Sequence, residues 1–229
     1  MRILVVSDIH SNKTALSRVL SVVGDFDAVL CSGDVVGYGP DPNKCVEELM
    51  KLPARCIAGN HDRAAATGET SRLNRYAVEA IAINQEMLRP RALRWLRGLP
   101  THLQMEAEGR RIAVFHGSPD DPTWEYVYPN EAAERAEGYF IRTGADIIVH
   151  GHTHIPFVLK RGRSVFLNPG SVGQPRDGDP RASYATIEIE GGEVEARINR
   201  VAYDVEEVAS RIRDLGIPDF LASRLSRGI

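Results

Sequence analysis

Five times along the chain an apolar run ends on a short cluster of Asp, Asn or His, and this recurrence limits the fold more than any other feature of the sequence. The clusters are Asp8-Ile9-His10, Gly33-Asp34, Gly59-Asn60-His61-Asp62, His116-Gly117 and Gly151-His152-Thr153-His154. Polar groups at the ends of successive strands meet only where those ends share one edge, as the carboxyl ends do in parallel β-α arrangements. The histidines follow the same pattern. Six of the seven, at 10, 61, 116, 150, 152 and 154, lie in or beside the clusters.

Local patterning supplies the strands. Arg2 to Ser7 is a continuous apolar run, as expected of a strand buried on both faces. Residues 12 to 23 then carry Ala15, Leu16, Val19, Leu20 and Val23 near helical period, with Asn12 as N-cap. The unit repeats with a strand at 28–31, a helix at 43–52 and a strand at 55–58, an alternation that predicts parallel strands. Residues 63 to 98 favour helices and read as an insertion. Strand character returns at 102–107, 111–115, 147–149, 156–160, 164–167, 183–189 and 193–201, with hairpins at Arg161-Gly162 and Gly191-Gly192. A single α/β domain over 1–229 follows: two facing mixed β-sheets flanked by helices, a helical cap insertion at about 63–98 and a helical tail at about 204–229. Val205, Val208, Ile212 and Leu215 mark the tail's apolar face.

Composition narrows the partners. A net charge of −3 lacks the basic footprint of a sequence-independent nucleic-acid binder, so duplex nucleic acid is disfavoured. The N-terminal apolar run meets Asp8 too soon for a signal peptide or a span, which predicts a cytoplasmic protein without membrane association. Cys31, Cys45 and Cys56 form no CxxC and read as buried thiols. A homo-oligomer is compatible with the sequence.

Taken singly, each cluster has a bland explanation. Asp8-x-His10 reads equally as a helix-capping aspartate, Gly33-Asp34 and Asn60-His61-Asp62 as turns, and His116 as a core histidine. His152-x-His154 is the strongest, since alternate residues of an extended segment project to one side. A mixture of Asp, Asn and His without thiolates suits manganese, iron or zinc rather than a structural zinc site. His150 reads as a strand-end histidine, and Arg89, Arg91, Arg94 and Arg97 as a solvated helix face.

In this order the clusters resemble the five-block signature D-x-H, G-D, G-N-H-[DE], H-G and G-H-x-H of the calcineurin-like metallophosphoesterases. Gly37-Tyr38-Gly39-Pro40-Asp41-Pro42-Asn43, His116-Gly117-Ser118-Pro119 and Leu167 to Gly173 resemble the small prokaryotic branch of that superfamily. The resemblance implies an αββα sandwich and two divalent cations, manganese first, with iron, zinc or nickel as alternatives. It places Asp8, His10 and His154 on one ion, Asn60, His116 and His152 on the other, and Asp34 between them. His61 is then the catalytic residue that faces the phosphate and helps the leaving oxygen depart. Larger members carry an aspartate three residues after the bridging one; Gly37 stands there in this chain, which leaves open what orients His61. The implied activity is hydrolysis of a small phosphodiester, phosphomonoester or dinucleoside polyphosphate through a metal-bridging hydroxide. The rival readings are a nuclease and a non-catalytic scaffold, since one fold serves several functions.

Overall fold

The computed structural model describes residues 1–229 as two five-stranded sheets packed face to face between layers of helices. In chain order the elements are β1 (Arg2–Val6), α1 (Lys13–Val22), β2 (Ala28–Cys31), α2 (Pro42–Leu49), β3 (Ala54–Cys56), α3 (Asn60–Thr67), α4 (Arg75–Met87) and α5 (Pro90–Arg97). There follow β4 (His102–Ala107), β5 (Arg110–Phe115), α6 (Pro129–Thr143), β6 (Ile147–Val149), β7 (Phe157–Arg161), β8 (Ser164–Asn168), β9 (Ala182–Glu190) and β10 (Glu193–Val201). The tail holds α7 (Val205–Asp214), α8 (Asp219–Ser223) and a 3₁₀ turn at Leu225–Arg227. No helix is long and apolar enough to cross a membrane.

The first sheet runs β10-β9-β1-β2-β3 and the second β4-β5-β6-β8-β7. Parallel pairing joins β1 to β2 and β2 to β3, and likewise β5 to β6 and β6 to β8. The carboxyl ends that carry Asp8, Asp34, Asn60, His116 and His152 therefore open on one edge. Both expected hairpins form, β7–β8 and β9–β10. Strand β1 shows why its run is apolar throughout. Ile3 and Val5 face the inter-sheet core with Ile112, Val149 and Leu167, whereas Leu4 and Val6 face outward onto Leu16, Val19 and Val46.

Asn12 caps α1 as expected, its side chain accepting from the Ala15 N–H at 2.9 Å. The helical insertion is α3–α5, and its Ala64, Ile81, Ala92 and Leu96 join the layer on the outer face of the first sheet. It starts earlier than the patterning suggested, so Asn60, His61 and Asp62 form the first turn of a helix instead of a loop. Arg89 at the N-cap of α5 and Arg97 in its last turn reach Glu47 at 3.2 Å and the Ala66 carbonyl at 3.1 Å. Helix α6 was not among the expected elements. It buries Ala132, Ala136 and Tyr139 against Phe115, Ile148 and Phe166 and closes the fourth layer.

The tail packs Val208, Ile212, Leu221 and Leu225 against Ala77 and Ala80 of α4 and against Tyr38. Leu215, expected on this face, is 38% exposed, because the helix ends there. Arg211 grips both carboxylate oxygens of Asp41 at the N-terminus of α2, and Lys44 reaches the same carboxylate at 3.0 Å. Burial pushes the Asp41 carboxyl up, but hydrogen bonds from Arg211 and Lys44 outweigh it and hold it below 3.8. A depressed carboxyl stabilises the fold above its unfolded pKa, and that contribution is lost as pH falls through the folded value. Arg211→Ala should therefore cost about 1 kcal/mol near neutral pH, a modest figure because Arg211 is partly solvated. The deficit should shrink below pH 3.8 in urea melts; equal deficits at both pH values would remove the ion pair as its source.

Candidate metal centre

The loops that carry the clusters are bent in a way few sequences tolerate. Asp8, His10, Ser11, Asp34, Tyr38, His152 and His154 all have φ between 47° and 68°, and Glu108 is the one other non-glycine residue with positive φ. Each such residue costs on the order of 1 kcal/mol unless its surroundings impose the conformation. Here the loops bond to one another: Asp8 N–H to Gly33 O at 3.0 Å, His10 N–H to Asp34 O at 2.9 Å, Gly151 N–H to His116 O at 3.0 Å and Gly173 N–H to Asp8 O at 3.0 Å. The bent backbone also departs from the extended segment expected at His152-x-His154. Neither residue lies on an extended segment, and they diverge into two different groups of donors.

Those groups are Asp8, His10 and His154; His10, Asp34 and His61; and Asp34, His116 and His152, each with potential ligand atoms within 4.8 Å of one another. All seven residues are buried, as is Asn60. Three of the imidazoles are anchored through Nδ1 and turn Nε2 inward. The Nδ1–H of His116 donates to Ser32 O at 2.8 Å, that of His154 to Gln174 O at 2.5 Å and that of His10 to Val36 O at 3.3 Å, so Nε2 faces the cluster in all three. A carbonyl behind each ring fixes the tautomer that a metal needs.

The carboxylates are held in the same half-committed way. Asp8 Oδ2 accepts from Ser7 Oγ at 2.6 Å and from His152 N–H at 3.1 Å, while its Oδ1 has no hydrogen-bond partner and lies 3.2 Å from His154 Nε2. Asp34 Oδ1 accepts from His61 N–H at 2.9 Å, and its Oδ2 lies 3.7 Å from His10 Nε2 and 3.4 Å from His116 Nε2. Asn60 Oδ1 is 3.0 Å from His116 Nε2, and the buried His152 Nε2 has no partner. Unpaired buried donors of this kind are costly without a cation to share them. Their mixture of O and N atoms fits divalent transition metals.

Electrostatics within the cluster are correspondingly strained. Burial raises the Asp34 carboxyl, but His116, His61 and His10 outweigh it and hold it well below the usual range. Burial lowers His116, and the Asp34 charge reverses this, leaving its imidazole raised to about 9. A raised imidazole favours the protonated ring near neutral pH, and a cation taken by His116 would have to displace that proton. Binding of Mn²⁺ at neutral pH should release about one proton per chain, read from calorimetric enthalpies in two buffers of different ionisation enthalpy. The release should vanish above pH 9. By the same linkage, stability from this group is fully present below the unfolded value of 6.5 and is lost as pH rises through 9. Proton-neutral binding at pH 7 would show that His116 starts out deprotonated.

Asp62 does not orient His61. Its two oxygens accept the N–H groups of Val36 and Gly59 at 3.0 and 3.1 Å, and burial followed by the Asp34 charge raises its carboxyl to about 7. Gly37 explains why no aspartate stands in its place. A Cβ there would lie 2.4 Å from His61 Nδ1, and φ is +98°. His61 is instead packed by rings, with Tyr38 at 4.4 Å and His10 at 4.8 Å between centroids, and its buried Nδ1 has no partner.

Several contributors escaped the sequence reading. Asn84 of α4 accepts from Ser11 Oγ at 2.7 Å and Gly37 N–H at 2.9 Å and donates to Gly39 O at 3.0 Å, tying the insertion to two site loops. A lone polar residue on the face of Ala77, Ala80 and Ile81 was the available signal. Tyr126 stacks on His152 with centroids 3.8 Å apart, and Arg176 lies beside His154; neither falls in a cluster. His150 joins no donor group. It lies among Phe157 and Phe166, where burial pushes it down to about 3.

The calcineurin-like phosphoesterase superfamily domain matches residues 1–192, and the chain belongs to that family. A metallophosphoesterase crystal structure from Sphaerobacter thermophilus superposes with a TM-score of 0.86 at 34% identity, covering 100% of this chain and 99% of that one. Protein MJ0912 of Methanocaldococcus jannaschii is 34% identical over 99% of this chain and 98% of its own length. The Escherichia coli K12 protein named phosphodiesterase YfcE is 27% identical over 82% of this chain and 88% of its own.

Proposed function

We propose that this chain hydrolyses a small phosphoester, whether a phosphodiester, a phosphomonoester or a dinucleoside polyphosphate, using two divalent cations, with Mn²⁺ the first candidate. The reading is carried by two buried donor groups, Asp8–His10–His154 and Asp34–His116–His152, joined through the contact of His10 with Asp34. Asp8, His10 and His154 would hold one ion, Asn60, His116 and His152 the other, and Asp34 would bridge them. When bound, such a pair lowers the pKa of a coordinated water and polarises phosphoryl oxygens.

The chain's own residues hold this arrangement and do not attack. Three serines of the site loops are already engaged, with Ser7 donating to Asp8, Ser11 to Asn84 and Ser171 to the Asp8 carbonyl, while the buried Ser32 hydroxyl has no partner. His61 is the group left to act on substrate. Adjacent residues of a helix point about 100° apart, so Asn60 can face His116 while the ring of His61 turns towards Tyr38 and His10. There it can give a proton or hydrogen bond to the departing oxygen.

Elemental analysis after reconstitution with Mn²⁺, followed by assay on nitrophenyl phosphomonoesters and diesters, tests the reading. Two ions per chain together with hydrolysis of at least one ester class is the expected result. One ion or none with hydrolysis intact would refute the ligand assignment. Two ions with no hydrolysis of either class would favour the scaffold reading.

A further inference from the structure

Arg176 belongs to none of the donor groups, yet it is tied to His154 of the first one and lies near Tyr38, which packs on His61. Its backbone N–H donates to the His154 carbonyl at 3.3 Å, and its Nη2 donates at 3.0 Å to the side chain of Gln174, whose own carbonyl anchors the His154 ring. The guanidinium carbon lies 5.9 Å from the centre of the Tyr38 ring. That ring in turn packs 4.4 Å from His61 and 4.6 Å from His10.

A guanidinium carries five donors in a rigid fork. The one side-chain partner of Arg176 is the neutral amide oxygen of Gln174, and its Nε is sealed from solvent with no partner. No carboxylate pairs with it, whereas Arg110, Arg135, Arg200 and Arg211 each hold one. A cation set beside sites for two more cations is unfavourable until an anion arrives between them.

We propose that Arg176 is a substrate-binding residue whose guanidinium takes a non-bridging oxygen of the phosphate presented to the metal centre. The assignment rests on the phosphoesterase reading, and it names a contact outside the five clusters. Guanidinium and phosphate match in geometry as well as charge, since two parallel N–H groups can meet two oxygens. The loop that carries Arg176 is itself tied to the tail through the Gly178 N–H to Gly228 O bond at 2.9 Å and to β10 through the ion pair of Arg200 with Asp177. The fork is therefore held in place before substrate enters, which limits the ordering cost of binding.

The test is calorimetric titration of inorganic phosphate, the shared product of monoester hydrolysis, into Mn²⁺-loaded wild type, Arg176→Gln and Arg176→Lys. Metal content and melting temperature are measured on each, with KM and kcat for any nitrophenyl ester that the wild type cleaves. Loss of a charge-assisted contact predicts phosphate affinity weaker by about 10- to 100-fold in Arg176→Gln. Arg176→Lys should recover part of this, and both variants should keep wild-type metal content. Unchanged phosphate affinity in Arg176→Gln, no measurable phosphate binding by the wild type, or loss of metal in parallel with phosphate would each overturn the proposal. Failure of the wild type to cleave any ester while phosphate binding still depends on Arg176 would instead refute the hydrolase reading and leave the anion site standing.

Discussion

Asp34→Asn should lower turnover by roughly 10³-fold, the equivalent of about 4 kcal/mol in the barrier, and should loosen both metal ions together. The reason lies in how the carboxylate is shared. Its Oδ2 lies 3.7 Å from His10 Nε2 in one direction and 3.4 Å from His116 Nε2 in the other, so one group serves both donor sets. An asparagine has nearly the same shape and can still accept the His61 N–H through its oxygen, a bond of 2.9 Å to Asp34. Folding should survive. What is lost is the negative charge that would balance two dications and that keeps His116 raised to about 9. The variant should therefore show two weakened Mn²⁺ sites by calorimetry and less proton release on binding, with a near-native circular dichroism spectrum. Wild-type turnover with both ions bound at wild-type affinity would mean that Asp34 does not bridge. Loss of only one ion would reassign it to a single site.

The layers and the site differ in how far the sequence announced them. Strands β1, β2, β5 and β6 were readable because burial on both faces leaves uninterrupted apolar runs, and their ends were readable because polar clusters follow at once. Helix α6 passed unread even though Pro129 opens it, Glu131 caps it and Gly144 ends it in the left-handed conformation. Its buried face consists of alanines and one tyrosine, too weak a stripe to stand out. At the site, the donors could be named from spacing, but their directions could not. His152 and His154 part company because both adopt positive φ, which no pattern of residue types reveals. Asn84 and Arg176 act across long sequence separations, 73 residues from Ser11 and 22 from His154, and such contacts are set by packing, not by local pattern. Gly37 lay between these cases. Its departure from the pattern of larger relatives was visible in the sequence, while the steric reason, a ring nitrogen 2.4 Å from where its Cβ would be, needed the fold.

His61→Ala should leave both ions in place and cut turnover by about 10² to 10⁴, the usual value of general acid assistance. The metal-free protein sets a condition on this role. Burial, more than any neighbour, lowers the His61 imidazole to about 4, with Asp34 opposing and Arg176 adding to the fall. At neutral pH the ring is thus neutral before substrate binds, and it can protonate a leaving oxygen only if the incoming phosphate raises it. A neutral ring still has one N–H to offer as a hydrogen bond, so some stabilisation persists without full proton transfer. Both routes predict that poor leaving groups suffer most from the loss. Alkyl esters, whose alkoxide needs a proton, should lose the full factor, whereas nitrophenyl esters should lose much less. A structural role would behave differently, because Tyr38 and His10 rest on this ring and its removal would disturb them and the first donor group with them. Metal content, measured together with turnover on one alkyl and one nitrophenyl ester in wild type and variant, separates the two. Equal losses on both esters would end the leaving-group assignment, and loss of an ion would place His61 among the ligands, as its grouping with His10 and Asp34 within 4.8 Å allows.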